Sequence, residues 1–201
     1  MKNRIFIYIQ YFLRNIPGGF GQKIRSLLYQ NFFGSWGNNV KIDIGVIFDN
    51  PSNIYLYSNI NIKPYSHLTA NDGTNLISLL RPIYFKYKDS YFGKIIISDN
   101  VTIGEFNILQ GFGGILINQN CITNDRVSIY SMSHTIRNKN KPKQFSFANP
   151  MITISDNIPS ISNSIELCEG AYVGYNSVIF SGIIGKHALI KSFSIVNNDF
   201  T

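Results

Sequence analysis

From residue 95 onward, aliphatic side chains return at intervals of six. Ile97, Ile103 and Leu109 form one run, and Ile117 and Ile129 a second. Val173 and Ile179 make a third, and Ile184, Ile190 and Val196 a fourth. A small or aliphatic residue stands two places earlier, at Ile95, Val101, Ile115, Cys121, Val127, Ser177, Ala188 and Ser194. An amphipathic helix repeats its apolar positions at three and four, and a half-buried strand at two. A spacing of six fits neither as a single element. It fits a short strand, a corner and another short strand, each strand turning one aliphatic side chain toward a shared interior.

Repetition at a short fixed period marks a stacked architecture, and a hexapeptide period predicts a β-helix. The corners carry suitable residues. Gly104, Gly174 and Gly185 follow the beat, and Asp99-Asn100, Gln119-Asn120 and Tyr175-Asn176 fall between beats. Gly and Asn tolerate the positive φ that tight corners need. Coils stacked in this way pair strand on strand at about 4.8 Å.

The beat is looser from Val40 to Asn71, where Val40, Ile42, Ile44, Ile54, Leu56, Ile60 and Ile62 read as the first, irregular coils. Residues 1–39 differ in kind. Ile5, Ile9, Phe12 and Ile16 fall on one helical face, as do Ile24, Leu27, Leu28 and Phe32, and Pro17-Gly18-Gly19 separates the two runs. The expectation is an N-terminal helical cap over residues 1–39 on a β-helix over residues 40–201. An open coil end exposes apolar surface and unpaired strand edges, so a cap is physically required. Two stretches interrupt the beat and read as excursions, at about 72–93 and 135–164. The second starts with a basic run through Arg137, Lys139, Lys141 and Lys143.

Composition narrows the function. Two cysteines, Cys121 and Cys168, make no disulfide framework, and Cys121 lies on the inward beat as a small core residue. The net charge of +7 suits an anionic partner such as a nucleotide cofactor, an anionic glycan or a membrane surface. No zinc-finger, basic-helix or RNA-binding signature is present, so nucleic acid is not expected. The apolar run from Ile5 is far shorter than the ~20 residues that span a bilayer. Gln10 and Arg14 interrupt it and no A-x-A site follows, which argues against a signal peptide. Peripheral membrane contact through residues 5–16 remains open.

The stretch VGYNSVIFSGIIGKHALIKSFSIV, from Val173 to Val196, resembles the last coils of the hexapeptide-repeat acyltransferases. IIISDNVTIGEFNIL, followed by ILINQNCITNDRVSIYSMSHTI, resembles the active-site coil of the sugar O-acetyltransferases in that family. The likeness covers roughly residues 40–200 and implies an all-β, left-handed parallel β-helix. It implies a homotrimer, with active sites between subunits, that moves an acetyl group from acetyl-CoA to a sugar hydroxyl without a metal. His134 matches the family's general base, and an imidazole titrating near neutrality suits that role. By the same resemblance, turns at Gly174, Tyr175, Lys191 and Ser192 would lie along the pantetheine arm. Lys186 and Lys191 would reach the cofactor's phosphates, Tyr172 would wall the acyl pocket, and Asn107 would orient the acceptor.

The chain departs from the family at Lys191-Ser192-Phe193, where relatives read small turn residues, and at Asn198-Asp199. It ends at Thr201, before the closing segment the family carries, so a truncated chain or a cap from partner subunits is expected. The acceptor expected is a saccharide of a bacterial surface polysaccharide, O-antigen or capsule, met in the cytoplasm or at the inner face of the membrane. The alternatives are a non-catalytic β-helix scaffold and an acyltransferase for a small sugar or amino acid. A γ-class carbonic anhydrase site needs three gathered histidines, and His67, His134 and His187 are too dispersed for that.

Overall fold

The computed structural model describes residues 2–71, 84–85, 91–134, 137–138, 141–145, 160–162 and 164–197. Three parallel sheets of six strands each wind into a three-sided solenoid of six coils. The first face holds Ser35–Trp36, Ile54–Leu56, Ile95–Ile97, Ile115–Ile117, Ile165–Leu167 and Gly182–Ile184. The second holds Lys41–Ile42, Asn61–Ile62, Thr102–Ile103, Ile122–Thr123, Tyr172–Val173 and Leu189–Ile190. The third holds Ile47–Asp49, His67–Ala70, Ile108–Gly111, Ser128–Tyr130, Val178–Ile179 and Ile195–Val196.

Register follows the beat. Ile97 lies between Leu56 and Ile117, Ile103 between Ile62 and Thr123, and Leu109 between Leu68 and Ile129. All these inward side chains are buried. Each fully buried aliphatic of this size contributes about 1.5–3 kcal/mol, so the stacked columns are the main source of stability. The first coil starts at Ser35, ahead of Val40, because Trp36 pairs with Leu56. The short strand Ser35–Trp36 carries no aliphatic and so gave no beat.

Two corners are built differently. Between the first and second faces, Asn39, Asn59, Asn100 and Asn120 all adopt φ of 55–63° and pass hydrogen bonds down the column through their side-chain amides. Gly170 and His187 continue that column, also at positive φ. Between the second and third faces, the positive-φ positions are Gly45, Tyr65, Phe106, Arg126, Asn176 and Phe193. There the Tyr65 and Phe106 rings stack at 5.2 Å and the Arg126 guanidinium lies over Phe106. Ring stacking takes the place of the amide ladder and offsets the ~1–2 kcal/mol that a bulky residue loses in this conformation.

The cap comprises helix α1 (Lys2–Leu13) and helix α2 (Gly18–Tyr29). Both expected helices are present, but they bury different faces from those expected. α1 buries Phe6 and Gln10, and leaves Ile5 and Phe12 exposed. α2 buries Gly21, Arg25 and Tyr29, and leaves Leu27 and Leu28 exposed. The reason is the open edge of the first coil. Its backbone groups need hydrogen-bond partners that an aliphatic face cannot supply. The Gln10 amide donates to the Phe48 carbonyl and accepts from the Phe48 N–H at 2.7 Å, as a neighbouring strand would. Arg25 donates from Nε to the Ile42 carbonyl, and Ser26 Oγ donates to the Val40 carbonyl. The Arg25 guanidinium also binds the carbonyls of Leu13 and Ile16, closing the end of α1. Gly21 permits this, because a Cβ there would stand 2.0 Å from the Ile16 carbonyl oxygen.

Candidate active site

Both excursions leave the solenoid at the same corner, between the third face and the first. One departs after Ala70 and the other after Tyr130, two coils apart. Their described parts meet outside the solenoid. The strand Met132–His134 pairs antiparallel with Ser160–Ser162, which pairs parallel with Tyr84–Phe85. Within this small side sheet, His134 stands opposite Ser160. A hairpin of Arg137–Asn138 and Lys141–Phe145 follows. The side chain of His134 and most of both excursions lie outside the described residues.

Ser131 fixes the point of departure. Its buried hydroxyl donates to the Gln110 carbonyl at 2.7 Å and accepts from the Gly113 N–H at 2.8 Å. The turn above it runs through Gly111 and Gly114 and leaves no room for a side chain. At Gly114, with φ +100°, a Cβ would meet the Tyr91 carbonyl at 2.7 Å. The main chain leading to His134 is therefore anchored on a rigid corner, as a site on a scaffold requires. Beside it, on the outer side of the third face, the rings of Tyr130 and Phe180 stack at 5.9 Å. Sequence reasoning missed this pair, although the spacing of Tyr130 from Ile129 places it outward by simple alternation.

Higher on the same face, His67 Nε2 lies 2.6 Å from Asp49 Oδ2, and Thr69 Oγ1 donates to that oxygen at 3.1 Å. The His67 hydrogen bond is the main cause of an Asp49 pKa below the ordinary carboxylate value. Both side chains are substantially exposed, so this pair adds little to stability.

The other anticipated site residues fall elsewhere. Gly174, Tyr175, Lys191 and Ser192 gather at the corner between the second and third faces, in coils five and six. A Cβ on Gly174 would stand 2.5 Å from the Ser192 nitrogen, so the two turns are in direct contact. The Gly174 N–H is spent on the Ile190 carbonyl at 2.8 Å. That amide belongs to the strand ladder and is not spare for a thioester or its oxyanion. Lys186 sits at the corner between the first and second faces, where it meets Glu169 at 2.6 Å. That hydrogen bond heads the causes that hold Glu169 below its usual pKa. Tyr172 stands on the second face, its hydroxyl accepting from the Asn124 amide at 2.9 Å. The second face lies opposite the corner that carries His134, so one chain does not bring the two together.

Asn107 is fully buried. Its Nδ2 donates to Thr123 Oγ1 at 2.7 Å and its Oδ1 accepts the Val127 N–H. Both ends of the amide are used to hold a corner from within, so Asn107 does not face an acceptor. Cys121 is buried against coil five, with its thiol directed at the Cys168 carbonyl, and burial raises its pKa. Among the described residues, no group of three or more His, Cys, Asp or Glu is placed to hold a metal ion.

No protein-family description matches the chain, and no characterised protein matches it by sequence. Solved structures do match. AntD, an N-acyltransferase from Bacillus cereus in complex with dTDP and 3-hydroxybutyryl-CoA, aligns with a TM-score of 0.66 at 19% identity, over 87% of this chain and 78% of that one. A variant of AntD in complex with dTDP-4-amino-4,6-dideoxyglucose and coenzyme A aligns with a TM-score of 0.65 at 19% identity, over 86% and 78%. A further variant, with dTDP and coenzyme A, aligns with a TM-score of 0.63 at 18% identity, over 89% and 79%. The likeness shows the fold: three six-stranded parallel sheets behind a short helical N-terminus form a left-handed parallel β-helix.

Proposed function

We propose that this protein is an acyl-CoA-dependent acyltransferase with a saccharide acceptor. The reaction is transfer of acetyl from acetyl-CoA to a sugar hydroxyl of a bacterial surface polysaccharide or its precursor. The observation that carries this reading is the corner itself: both excursions converge on the strand that ends in His134, on a fold whose solved neighbours hold coenzyme A and a dTDP-sugar.

His134 is the general base. As the acceptor oxygen attacks the thioester carbonyl carbon, its proton passes to the imidazole. The tetrahedral oxyanion collapses, the C–S bond breaks, and the departing thiolate takes the proton back. The products are an O-acetyl sugar and free coenzyme A. A positioned base contributes about 10²- to 10⁴-fold to such a step. Tyr130 and Phe180 flank the corner and form the apolar wall.

Homotrimeric assembly belongs to the same reading. The turns at Gly174, Tyr175, Lys191 and Ser192 lie on a different solenoid edge from the His134 strand, so a complete site takes one edge from each of two copies. Its place is the cytoplasm, where acetyl-CoA and activated sugars are made.

A second reading has a specific observation in its favour. The neighbours are N-acyltransferases, and one holds a 4-amino sugar nucleotide. A free amine attacks a thioester through its own lone pair and needs a base less than a hydroxyl does. Coenzyme A release is therefore measured with matched hydroxy- and amino-sugar acceptors, with wild type and His134→Ala. Turnover only on hydroxyl acceptors, lost in the variant, supports O-transfer. Turnover only on the amino sugar, retained in the variant, assigns N-transfer. Background release on every acceptor rejects both.

A further inference from the structure

α1 carries apolar side chains on its outer side as well as its packed side, and only one side of it packs on the solenoid. On its outer side Tyr8, Tyr11 and Phe12 are 69%, 66% and 72% exposed, next to the exposed Arg4. α2 repeats the pattern at helical spacing, with exposed Phe20, Lys23 and Leu27 on one stripe. A cluster of large apolar side chains on a helix is normally turned toward a partner surface. The outer faces of both helices have no cover within the described chain.

Charge selects the occupant. The cap, residues 1–39, contains five basic residues (Lys2, Arg4, Arg14, Lys23 and Arg25) and no acidic residue, and Asp43 follows in the first coil. Arg25 is consumed inside the cap, but Arg4 and Lys23 are exposed. A second copy packed through the same face would set like charges against like, with no acid in either cap to pair them. An anionic bilayer surface satisfies both features. Tyr and Phe settle at the headgroup level, and each nearby Lys or Arg adds attraction to anionic lipid. No described helix is long and apolar enough to cross a membrane, so the contact is with the surface.

We infer that the outer face of the N-terminal cap, through Tyr8, Tyr11, Phe12 and Phe20 with Arg4 and Lys23, docks the protein on an anionic lipid surface. The inference stands apart from acyl transfer, since it needs no turnover.

Co-sedimentation of the full chain with vesicles tests it. One set is phosphatidylcholine alone and the other contains phosphatidylglycerol. Binding at least tenfold stronger to the phosphatidylglycerol vesicles, weakened by salt, is expected. The triple variant Tyr8→Ser, Phe12→Ser, Phe20→Ser is expected to lose that binding at least tenfold while keeping its melting temperature. Arg4→Gln with Lys23→Gln serves as an independent variant that leaves the apolar face intact and should weaken binding to anionic vesicles alone. Absence of binding to phosphatidylglycerol vesicles at low salt overturns the inference, as does equal binding by the triple variant. A fall in oligomeric state of the triple variant, read by light scattering, assigns the face to a second copy and overturns it as well.

Discussion

The coils and the cap use the same kinds of side chain under opposite rules. In a coil, the backbone already satisfies its polar groups through the stacked ladders, and the interior accepts only what the beat delivers. Ile97, Ile103 and Leu109 are all fully buried. In the cap, the helices must first satisfy the open edge of coil one. The buried stripes are therefore built around Gln10 and Arg25 together with Phe6 and Tyr29, and Tyr8, Tyr11, Phe12 and Phe20 are left outside. Where backbone pairing is complete, apolar pattern dictates burial. Where it is incomplete, hydrogen bonding decides which face turns in.

Matched substitutions break or sharpen that contrast. Ile103→Ala in the second-face column should cost about 2–5 kcal/mol, read as a large drop in melting temperature. Phe12→Ala in α1 removes a larger side chain and should leave melting in lipid-free buffer nearly unchanged. An equal loss at both positions would erase the distinction. Arg25→Met keeps the aliphatic stem but strips hydrogen bonds from the Leu13, Ile16 and Ile42 carbonyls. It should cost about 3 kcal/mol, measured by chemical denaturation. A variant as stable as the parent would mean that apolar contact alone holds the cap.

Tyr29 gives a smaller effect of opposite sign. Its ring is buried against Phe6, its hydroxyl has no partner among the described residues, and burial pushes its pKa up to about 12. Tyr29→Phe should therefore be neutral or stabilising by up to about 1 kcal/mol. The smallest effect is at Asp49, whose pKa is lowered in the folded state by the His67 hydrogen bond. Its contribution is present above the unfolded carboxylate value of about 3.9 and is lost as pH falls through the lower folded value. Asp49→Asn should flatten the acid limb of stability against pH and lower neutral stability by the same small amount. An unchanged acid limb would show that the pair is not formed in solution.

The period of six exposed the solenoid in the sequence because each coil repeats one steric demand. Even Ile184, one residue early after the short rung from Ile179, turns inward beside Leu167. The Asn corners were legible for the same reason, since Asn100 and Asn120 do what the left-handed region asks of them. The Tyr65–Phe106–Arg126 corner was not, because stacking between residues far apart in sequence overrides the preference of each. His134 was singled out by its local motif. The pairing of its strand with Ser160–Ser162 and Tyr84–Phe85 was not, because it joins segments with no shared period. Asn107 shows the limit of reading polar residues as functional. A buried amide with both ends bonded is a structural part.

The central claim is that a thioester and an acceptor meet at the corner carrying His134. Single-turnover release of coenzyme A from acetyl-CoA, followed with a thiol reagent in the presence of a saccharide acceptor, tests it most directly. The account predicts acceptor-dependent release by the parent protein and a loss of about 10²-fold or more in His134→Ala, with the melting temperature and the affinity for acetyl-CoA preserved. Equal release by the parent and His134→Ala would contradict it.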